Sequence, residues 1–225
     1  MVRPVVTDNT DPVLQELVPG AKNLYFIFGG INAGIGMPPF EFYKSSQIIN
    51  QNKLFVRDFS QTWYQNGLEG IAKDIYGIGD YVKETIQQLQ PEKVYYIGNS
   101  MGGFAAIAMA AMTGHGKAIA FAPQTFIGPL KRIRHWDRRW QGRMLATWKT
   151  SFYRKHIYDL LKHLKSNPGD YSVDIYVSSN HRRDLAHSNN IKNLKNVNVH
   201  EYDIGGHQLV KHLRDNGQLA DILSM

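Results

Sequence analysis

The strongest constraint on the fold is the segment around Ser100, where an apolar run, a glycine-rich turn and a run of small residues follow one another. The apolar run is Val94–Ile97, the turn is Gly98-Asn99-Ser100-Met101-Gly102, and the small residues extend over Phe104–Met112. A serine between a buried strand and a helix sits on a strained turn, whose neighbours two residues away must be glycine to avoid a clash. The helix directs its N-terminal N–H groups at the serine, which favours negative charge there. The segment therefore predicts a nucleophilic Ser100, with an ordinary serine on a strand-to-helix turn as the alternative.

Apolar runs and amphipathic stretches alternate along the rest of the chain. The predicted strands are Leu24–Phe28, Lys53–Phe59, Val94–Ile97, Lys117–Phe121, Val173–Ser178 and Val197–Tyr202. The predicted helices are Ile71–Leu89, Phe104–Met112, Leu185–Leu194 and Gln208–Leu223. Because such alternation forms βαβ units, we expect a three-layer α/β fold with a mostly parallel sheet of about six strands. A chain of 225 residues is long enough for one such domain, so we predict a single domain over residues 1–225.

The interval between the fourth and fifth predicted strands is longer than a crossover connection needs. It covers residues 123–171 and holds the positive charge of the chain. Pro129–Lys165 contains eleven Lys and Arg residues against two Asp, whereas the whole chain has a formal net charge of +7. Connections in α/β units are usually short on either side of one helix. We therefore predict a basic helical insertion that lies over the sheet as a lid.

Aromatic side chains are interleaved with the cations of this insertion. Trp136, Arg138 and Trp140 are therefore candidate substrate-binding residues. Trp63 and Tyr64, after the second predicted strand, are further candidates, although core packing would also explain them. Cations among aromatics occur in nucleic-acid sites, but charge on a helical insertion is as often a solvated face, and we expect no nucleic-acid partner. An anionic substrate, an acidic carrier protein and a membrane surface remain as interpretations of the charge.

A nucleophilic serine needs a base and a carboxylate that orients the base. His207 follows two glycines after the last predicted strand and precedes the last predicted helix, so its imidazole has room to reach Ser100. Asp184 follows the fifth predicted strand and is the candidate carboxylate. Glu201 and Asp203 lie too close to His207 in sequence to reach round its ring. Asp184 could instead cap the helix that follows it or pair with a neighbouring arginine.

An oxyanion hole requires two N–H donors aimed at the point where negative charge develops. One predicted donor is the backbone N–H of Met101, beside the nucleophile. The other is expected from the loop after the first predicted strand, at Gly30 or Ile31. Phosphate binding by this glycine-rich loop is less favoured, because Gly34-Ile35-Gly36 is followed by Met37-Pro38-Pro39 and proline has no N–H.

Taken together, these segments resemble the α/β-hydrolase superfamily. The matching residues are Phe28-Gly29-Gly30, the Gly98–Gly102 turn, Asp184 and His207, within Leu24–Leu223. The resemblance implies a catalytic triad of Ser100, Asp184 and His207 and a carboxylester or thioester hydrolase that works through an acyl-enzyme. An acyltransferase with the same triad is the alternative, and a non-catalytic binding protein on a hydrolase fold is a third hypothesis. The chain departs from the family in leaving little room before Leu24 for opening antiparallel strands, and in carrying Phe28 where many members have histidine.

Other features of the sequence bear on the compartment and on the chemistry. The chain has no cysteine, which excludes disulfides, a thiolate nucleophile and a thiolate metal site. No run approaches the ~20 apolar residues of a membrane helix, and the first residues lack the apolar core of a signal peptide. We therefore expect a cytoplasmic enzyme without metal or cofactor, acting on a small-molecule or carrier-bound acyl substrate that the charge suggests is anionic. The acyl group, the leaving group and the oligomeric state are left open by the sequence.

Overall fold

The structure is a computed structural model that describes residues 11–31, 40–150, 152–204 and 206–224. The Gly34–Pro39 stretch, which bears on phosphate binding, lies outside the described residues. So do Gly205, one of the two glycines before His207, and the first ten residues, which bear on the signal peptide.

Seven strands form one sheet in the order β1-β3-β2-β4-β5-β6-β7. They are β1 Val13–Glu16, β2 Asn23–Phe28, β3 Asn52–Val56, β4 Lys93–Asn99, β5 His115–Phe121, β6 Asp170–Ser178 and β7 Val197–Tyr202. β1 pairs antiparallel with β3, and every other pair is parallel. The six predicted strands are present, so the prediction of a mostly parallel α/β sheet is confirmed. The expectation of too little room for an antiparallel strand before Leu24 is wrong, because β1 lies there; as an edge strand of four residues it has no sustained apolar pattern.

Each face of the sheet carries its own buried apolar cluster. Successive residues of a strand point to opposite faces, and in β2 Phe26 belongs to the first cluster whereas Ile27 belongs to the second. The helices on the first face include α1 (Ile75–Leu89) and α2 (Met101–Thr113), and those on the second face are α7 (Leu209–Asp215) and α8 (Gln218–Leu223). The sheet therefore lies between two helical layers, as the three-layer prediction requires.

The helix boundaries follow local capping. α1 begins at Ile75 and not at Ile71, because the Asp74 side chain accepts hydrogen bonds from the amides of Tyr76 and Gly77. The predicted C-terminal helix is two helices, since Gly217 between α7 and α8 has a φ of 78° that ends helical geometry. None of the helices in the described ranges is long and apolar enough to span a membrane.

Three helices lie between β5 and β6, where the helical insertion was predicted. They are α3 Pro129–Arg134, α4 Gln141–Thr150 and α5 Leu160–Ser166. α5 packs against α2 and buries Leu160 and Leu164 in the first cluster, so it serves as the crossover helix of the β5–β6 unit. α3 and α4 are the additional elements, and the role of a lid for them stays a prediction. One further helix, α6 (Arg182–Ile191), connects β6 to β7.

Candidate active site

Ser100 lies on a tight turn between β4 and α2. Its φ of 53° and ψ of −111° form a conformation that non-glycine residues rarely adopt. A Cβ on Gly98 would lie 2.2 Å from the carbonyl carbon of Gly102, and a Cβ on Gly102 would lie 2.1 Å from the carbonyl oxygen of Phe28. The amide of Ser100 donates to the carbonyl oxygen of Phe121 at 2.8 Å, which ties the turn to β5. Both flanking glycines are therefore required by direct backbone contact.

Asp184 and His207 meet beyond the carboxyl ends of β6 and β7. His207 Nδ1 lies 2.7 Å from Oδ2 of the fully buried Asp184, the distance of an N–H donated to a carboxylate. His207 belongs to the short 3-10 helix Gly206–Gln208 and lines the same cavity as Ser100. With Nδ1 turned to Asp184, Nε2 is the ring nitrogen left to act on the serine. Within the described ranges no hydrogen bond joins His207 to Ser100 Oγ, and such bonds often tighten when substrate binds.

The Asp184 carboxylate also contacts two further nitrogen-bearing side chains. His181 Nδ1 lies 2.8 Å from Oδ2, and Arg139 Nη1 donates to Oδ1 at 2.8 Å. Burial by itself would raise the pKa of Asp184, but the hydrogen bond and charge of His207 and the charge of Arg139 hold that pKa below its usual value. Burial lowers the pKa of His181, and the charge of Asp184 opposes this effect. Asp184 is therefore ionised at neutral pH.

The same three side chains also have the spacing of metal ligands, because one ligand atom from each of His181, Asp184 and His207 lies within 4.8 Å of the others. Two imidazoles and a carboxylate could ligate a transition metal. The guanidinium of Arg139 already lies 2.8 Å from Asp184 Oδ1 and 3.5 Å from His207 Nδ1. Its fixed positive charge at this point opposes the binding of a cation.

Arg139 is held by a second buried carboxylate. Its Nε and Nη2 donate to Oδ1 and Oδ2 of Asp137 at 3.0 and 2.8 Å. His187 Nε2 donates to the same carboxylate at 3.0 Å, and its Nδ1 accepts the amide N–H of Thr125 at 3.1 Å. Burial lowers the pKa of His187 to about 4, although the hydrogen bond to Asp137 acts to raise this pKa. The His187 ring is therefore neutral. Burial would raise the pKa of Asp137, but the hydrogen bonds of His187 and Arg139 bring it far below its usual value.

The predicted oxyanion donor at Gly30 already has an acceptor. The Gly30 N–H donates to Oε2 of Glu41 at 2.5 Å, and the side-chain amide of Asn99 donates to Oε1 at 2.9 Å. Burial raises the pKa of Glu41, and these two hydrogen bonds oppose the rise. Of the other predicted donors, Ile31 lines the cavity and Met101 is the first residue of α2. Which N–H groups form the oxyanion hole stays a prediction.

Ser100 opens into a cavity of ≈ 420 Å³ whose wall carries polar and charged side chains. Lys211 and Arg214 contribute cations from the α7 side, and Arg214 is paired with Asp215 at 2.9 Å. Asn99 Oδ1 and Trp140 Nε1 belong to lining residues, but both atoms are buried and have no hydrogen-bond partner among the described residues. The polar side chains of the wall suit a ligand that brings hydrogen-bonding groups.

The other predicted substrate-binding residues lie in different places. Trp140 lines the cavity of Ser100, whereas Trp136 and Arg138 line a separate cavity of ≈ 470 Å³, with the guanidinium 5.3 Å from the indole centroid. Trp63 and Tyr64 are fully buried in the first cluster. The structure does not bring these last two residues to the cavity, and core packing accounts for them.

Comparison with known proteins gives similarity in structure alone. No protein-family model matches the sequence, and no curated protein matches it. A capsule O-acetyltransferase of Neisseria meningitidis serogroup A is 20% identical, with a TM-score of 0.67 over 95% of this chain and 90% of its own. A carboxylesterase structure from Nitrososphaera gargenis is 11% identical, with a TM-score of 0.58 over 94% of each chain. A lipase-esterase related protein from Clostridium acetobutylicum is 14% identical, with a TM-score of 0.55 over 95% of this chain and 98% of its own.

These similarities cover nearly the whole chain, and at such identities they concern the fold and not the activity. The sheet order, the strand–Ser100–helix turn and the positions of Asp184 and His207 after β6 and β7 agree with that fold. The chain has the α/β-hydrolase fold.

Proposed function

We propose that the chain is a serine hydrolase that cleaves a carboxylic ester or thioester through an acyl-enzyme on Ser100. The observation that carries this proposal is the 2.7 Å contact between His207 and Asp184 at the edge of the cavity into which Ser100 opens. A nucleophile, a base and an orienting carboxylate in this relation make up the machinery of acyl transfer.

In the first step, His207 Nε2 takes the proton of Ser100 Oγ as the oxygen attacks the substrate carbonyl. Asp184 holds the ring with its proton on Nδ1 and stabilises the positive charge that develops on it. The N–H of Met101 and one from Gly30 or Ile31 stabilise the oxyanion. His207 then gives the proton to the leaving alcohol or thiol, and the acyl group remains on Ser100.

In the second step, water attacks the acyl-enzyme while His207 again serves as the base. The tetrahedral intermediate collapses, the carboxylic acid leaves, and the proton on His207 returns to Ser100. The cation Lys211 on the cavity wall supports an acyl substrate that carries a negative charge elsewhere in the molecule.

A second candidate is transfer of the acyl group to an alcohol in place of water. It is favoured by the polar side chains of Gln208 and Lys211 on the cavity wall, which could hold the hydroxyl groups of an acceptor. The similar Neisseria protein is a capsule O-acetyltransferase. Its complex with CoA, described for a variant of the same protein, makes an acyl-CoA thioester the donor to test first.

Labelling by a fluorophosphonate probe tests the nucleophilic serine that both candidate functions require. We expect the wild-type chain to react stoichiometrically and the Ser100→Ala variant to give no labelling and no turnover. Ser166→Ala, which removes an exposed serine of α5, should label like wild type. Labelling that persists in Ser100→Ala would refute Ser100 as the nucleophile, and a folded wild-type chain that never reacts would favour a binding protein.

Product analysis separates the two candidates. p-Nitrophenyl esters of increasing chain length and acyl-thioesters are supplied with and without an added polyhydroxylated alcohol. A hydrolase releases the free acid at a rate that does not depend on the alcohol. An acyltransferase forms the new ester and turns over faster when the alcohol is present.

A further inference from the structure

The turn between α3 and α4 connects the basic insertion to the acid of the triad through Arg139. Its guanidinium spans two buried carboxylates, with Nη2 2.8 Å from Asp137 Oδ2 and Nη1 2.8 Å from Asp184 Oδ1. Its side chain is 13% exposed. A bidentate guanidinium–carboxylate pair fixes direction as well as distance. The two hydrogen bonds from Arg139 to Asp137 therefore direct Nη1 towards Asp184.

The turn itself is built to hold this position. Trp136 and Trp140 bracket it at φ values of 53° and 56°, in the left-handed region that non-glycine residues rarely adopt. The Arg139 amide donates to Asp137 Oδ1 at 3.0 Å, and Arg132 Nη2 donates to the Arg139 carbonyl oxygen. His187 holds Asp137 from α6. The turn is therefore anchored by its own backbone, by α3 and by α6.

The two oxygens of Asp184 have different neighbours. Oδ2 faces His207 at 2.7 Å and His181 at 2.8 Å, whereas Oδ1 faces Arg139. Without a partner on Oδ1, the carboxylate could rotate about its terminal torsion, which is broad for aspartate. The same nitrogen, Nη1, lies 3.5 Å from His207 Nδ1, so Arg139 contacts both partners of the hydrogen bond between Asp184 and His207.

We propose that Arg139 is a positioning residue that sets the rotamer of Asp184 and thereby the orientation of the His207 ring. The proposal rests on the proposed function, and it gives the inserted α3–α4 segment a part in catalysis. Arg139 reaches the nucleophile only through Asp184 and His207, so it affects the rate without binding substrate.

The first test compares Arg139→Gln with Arg143→Gln, a cation of α4 that makes no side-chain ion pair within the described ranges. For Arg139→Gln we expect kcat to fall about a hundredfold, the effect of misplacing a catalytic group by about 1 Å. KM should stay within about twofold, because the substrate does not touch Arg139. Arg143→Gln should keep both constants. Rates are divided by the fraction of protein that a fluorophosphonate labels, which removes losses from misfolding.

The second test is replacement by the conservative variant. Arg139→Lys keeps the positive charge, but an ammonium cannot bridge two carboxylates as the planar guanidinium does. We therefore expect kcat of Arg139→Lys to stay close to that of Arg139→Gln, with KM again within about twofold of the wild-type value.

The NMR signal of the His207 Nδ1 proton, which is donated to Asp184, keeps this proposal apart from the proposed function. Loss or displacement of that signal in Arg139→Gln but not in Arg143→Gln supports the proposal even if the wild-type chain turns over no ester. An unchanged signal, with activity lost only in proportion to the labelled fraction, would reduce Arg139 to a structural residue. If the glutamine variant does not fold, Arg139→Lys decides alone, and wild-type kcat in that variant would overturn the positioning role.

Discussion

Among residues outside the proposed triad, Glu41 bears directly on the expected oxyanion hole. Its carboxylate accepts the N–H of Gly30, which is one of the expected oxyanion donors. An ionised carboxylate at this point would repel the negative charge that develops on the substrate oxygen. For the Gly30 N–H to serve catalysis, the Glu41 side chain has to move away or carry a proton.

Replacing Glu41 by alanine should therefore free the donor and raise kcat/KM by about tenfold, a fraction of what one oxyanion-hole donor is worth. Glu41→Gln is the matched control, because an amide oxygen can still accept from Gly30 and leaves the donor occupied. The rates are measured with the ester found in the substrate screen. A fall in kcat/KM for Glu41→Ala, at unchanged melting temperature, would show that Glu41 supports the loop and that another residue supplies the second donor.

Among the elements, α2 and β2 pack closely beside Ser100. The helix begins directly after Ser100, and its second residue, Gly102, lies against the last carbonyl of β2. All residues from Met101 to Ala111 are buried, since glycine and alanine let the helix axis come near the sheet. The conformation of Ser100 therefore depends on how the helix and the strand pack.

Gly102→Ala should lower the free energy of unfolding by about 1–3 kcal/mol, as overpacking of a tight contact does. Because the added methyl group would lie 2.1 Å from the Phe28 carbonyl oxygen, the turn must shift and activity should fall further than stability. Gly142→Ala in α4, where nothing lies within 4 Å of the added atom, should change stability by less than about 1 kcal/mol. Urea unfolding and labelling rates measure both effects, and equal behaviour of the two variants would contradict the packing account.

For the whole molecule, one sheet shared by two apolar clusters implies a single cooperative unit. Trp63, Trp140 and Trp148 belong to or pack against the first cluster, whereas Leu213 of α7 is fully buried in the second. The predicted single domain can therefore be tested by disturbing one face and observing the other.

Leu213→Ala should lower the free energy of unfolding by about 2–5 kcal/mol through the cavity it leaves. If the chain unfolds as one unit, tryptophan fluorescence from the first face and far-UV circular dichroism should shift to the same lower denaturant midpoint. Leu130→Ala, at a side chain that is 83% exposed, should leave both midpoints in place. A fluorescence midpoint that stays at the wild-type value in Leu213→Ala would divide the chain into two units.

The sequence by itself determined the six main strands, the strand–Ser100–helix turn and the order of Asp184 and His207 along the chain. Local patterns predict these features: apolar runs, small residues at helical positions, and glycines two residues from a serine. The contact between Asp184 and His207 could be anticipated, because both follow strands whose carboxyl ends meet at one edge of a parallel sheet.

The tertiary structure decided which side chains surround Ser100, Asp184 and His207. Nothing local distinguishes Arg139 from the other ten cations of its segment, since its partner Asp184 lies 45 residues away. Glu41 likewise meets Gly30 and Asn99 across separate strand ends, and Trp63 and Tyr64 enter the core although their sequence context also suited a pocket. The charge and burial of a side chain depend on residues that are distant in sequence, whereas secondary-structure periodicity does not. Ser100 and its turn were therefore predictable, and the side chains that contact Asp184 and Gly30 were not.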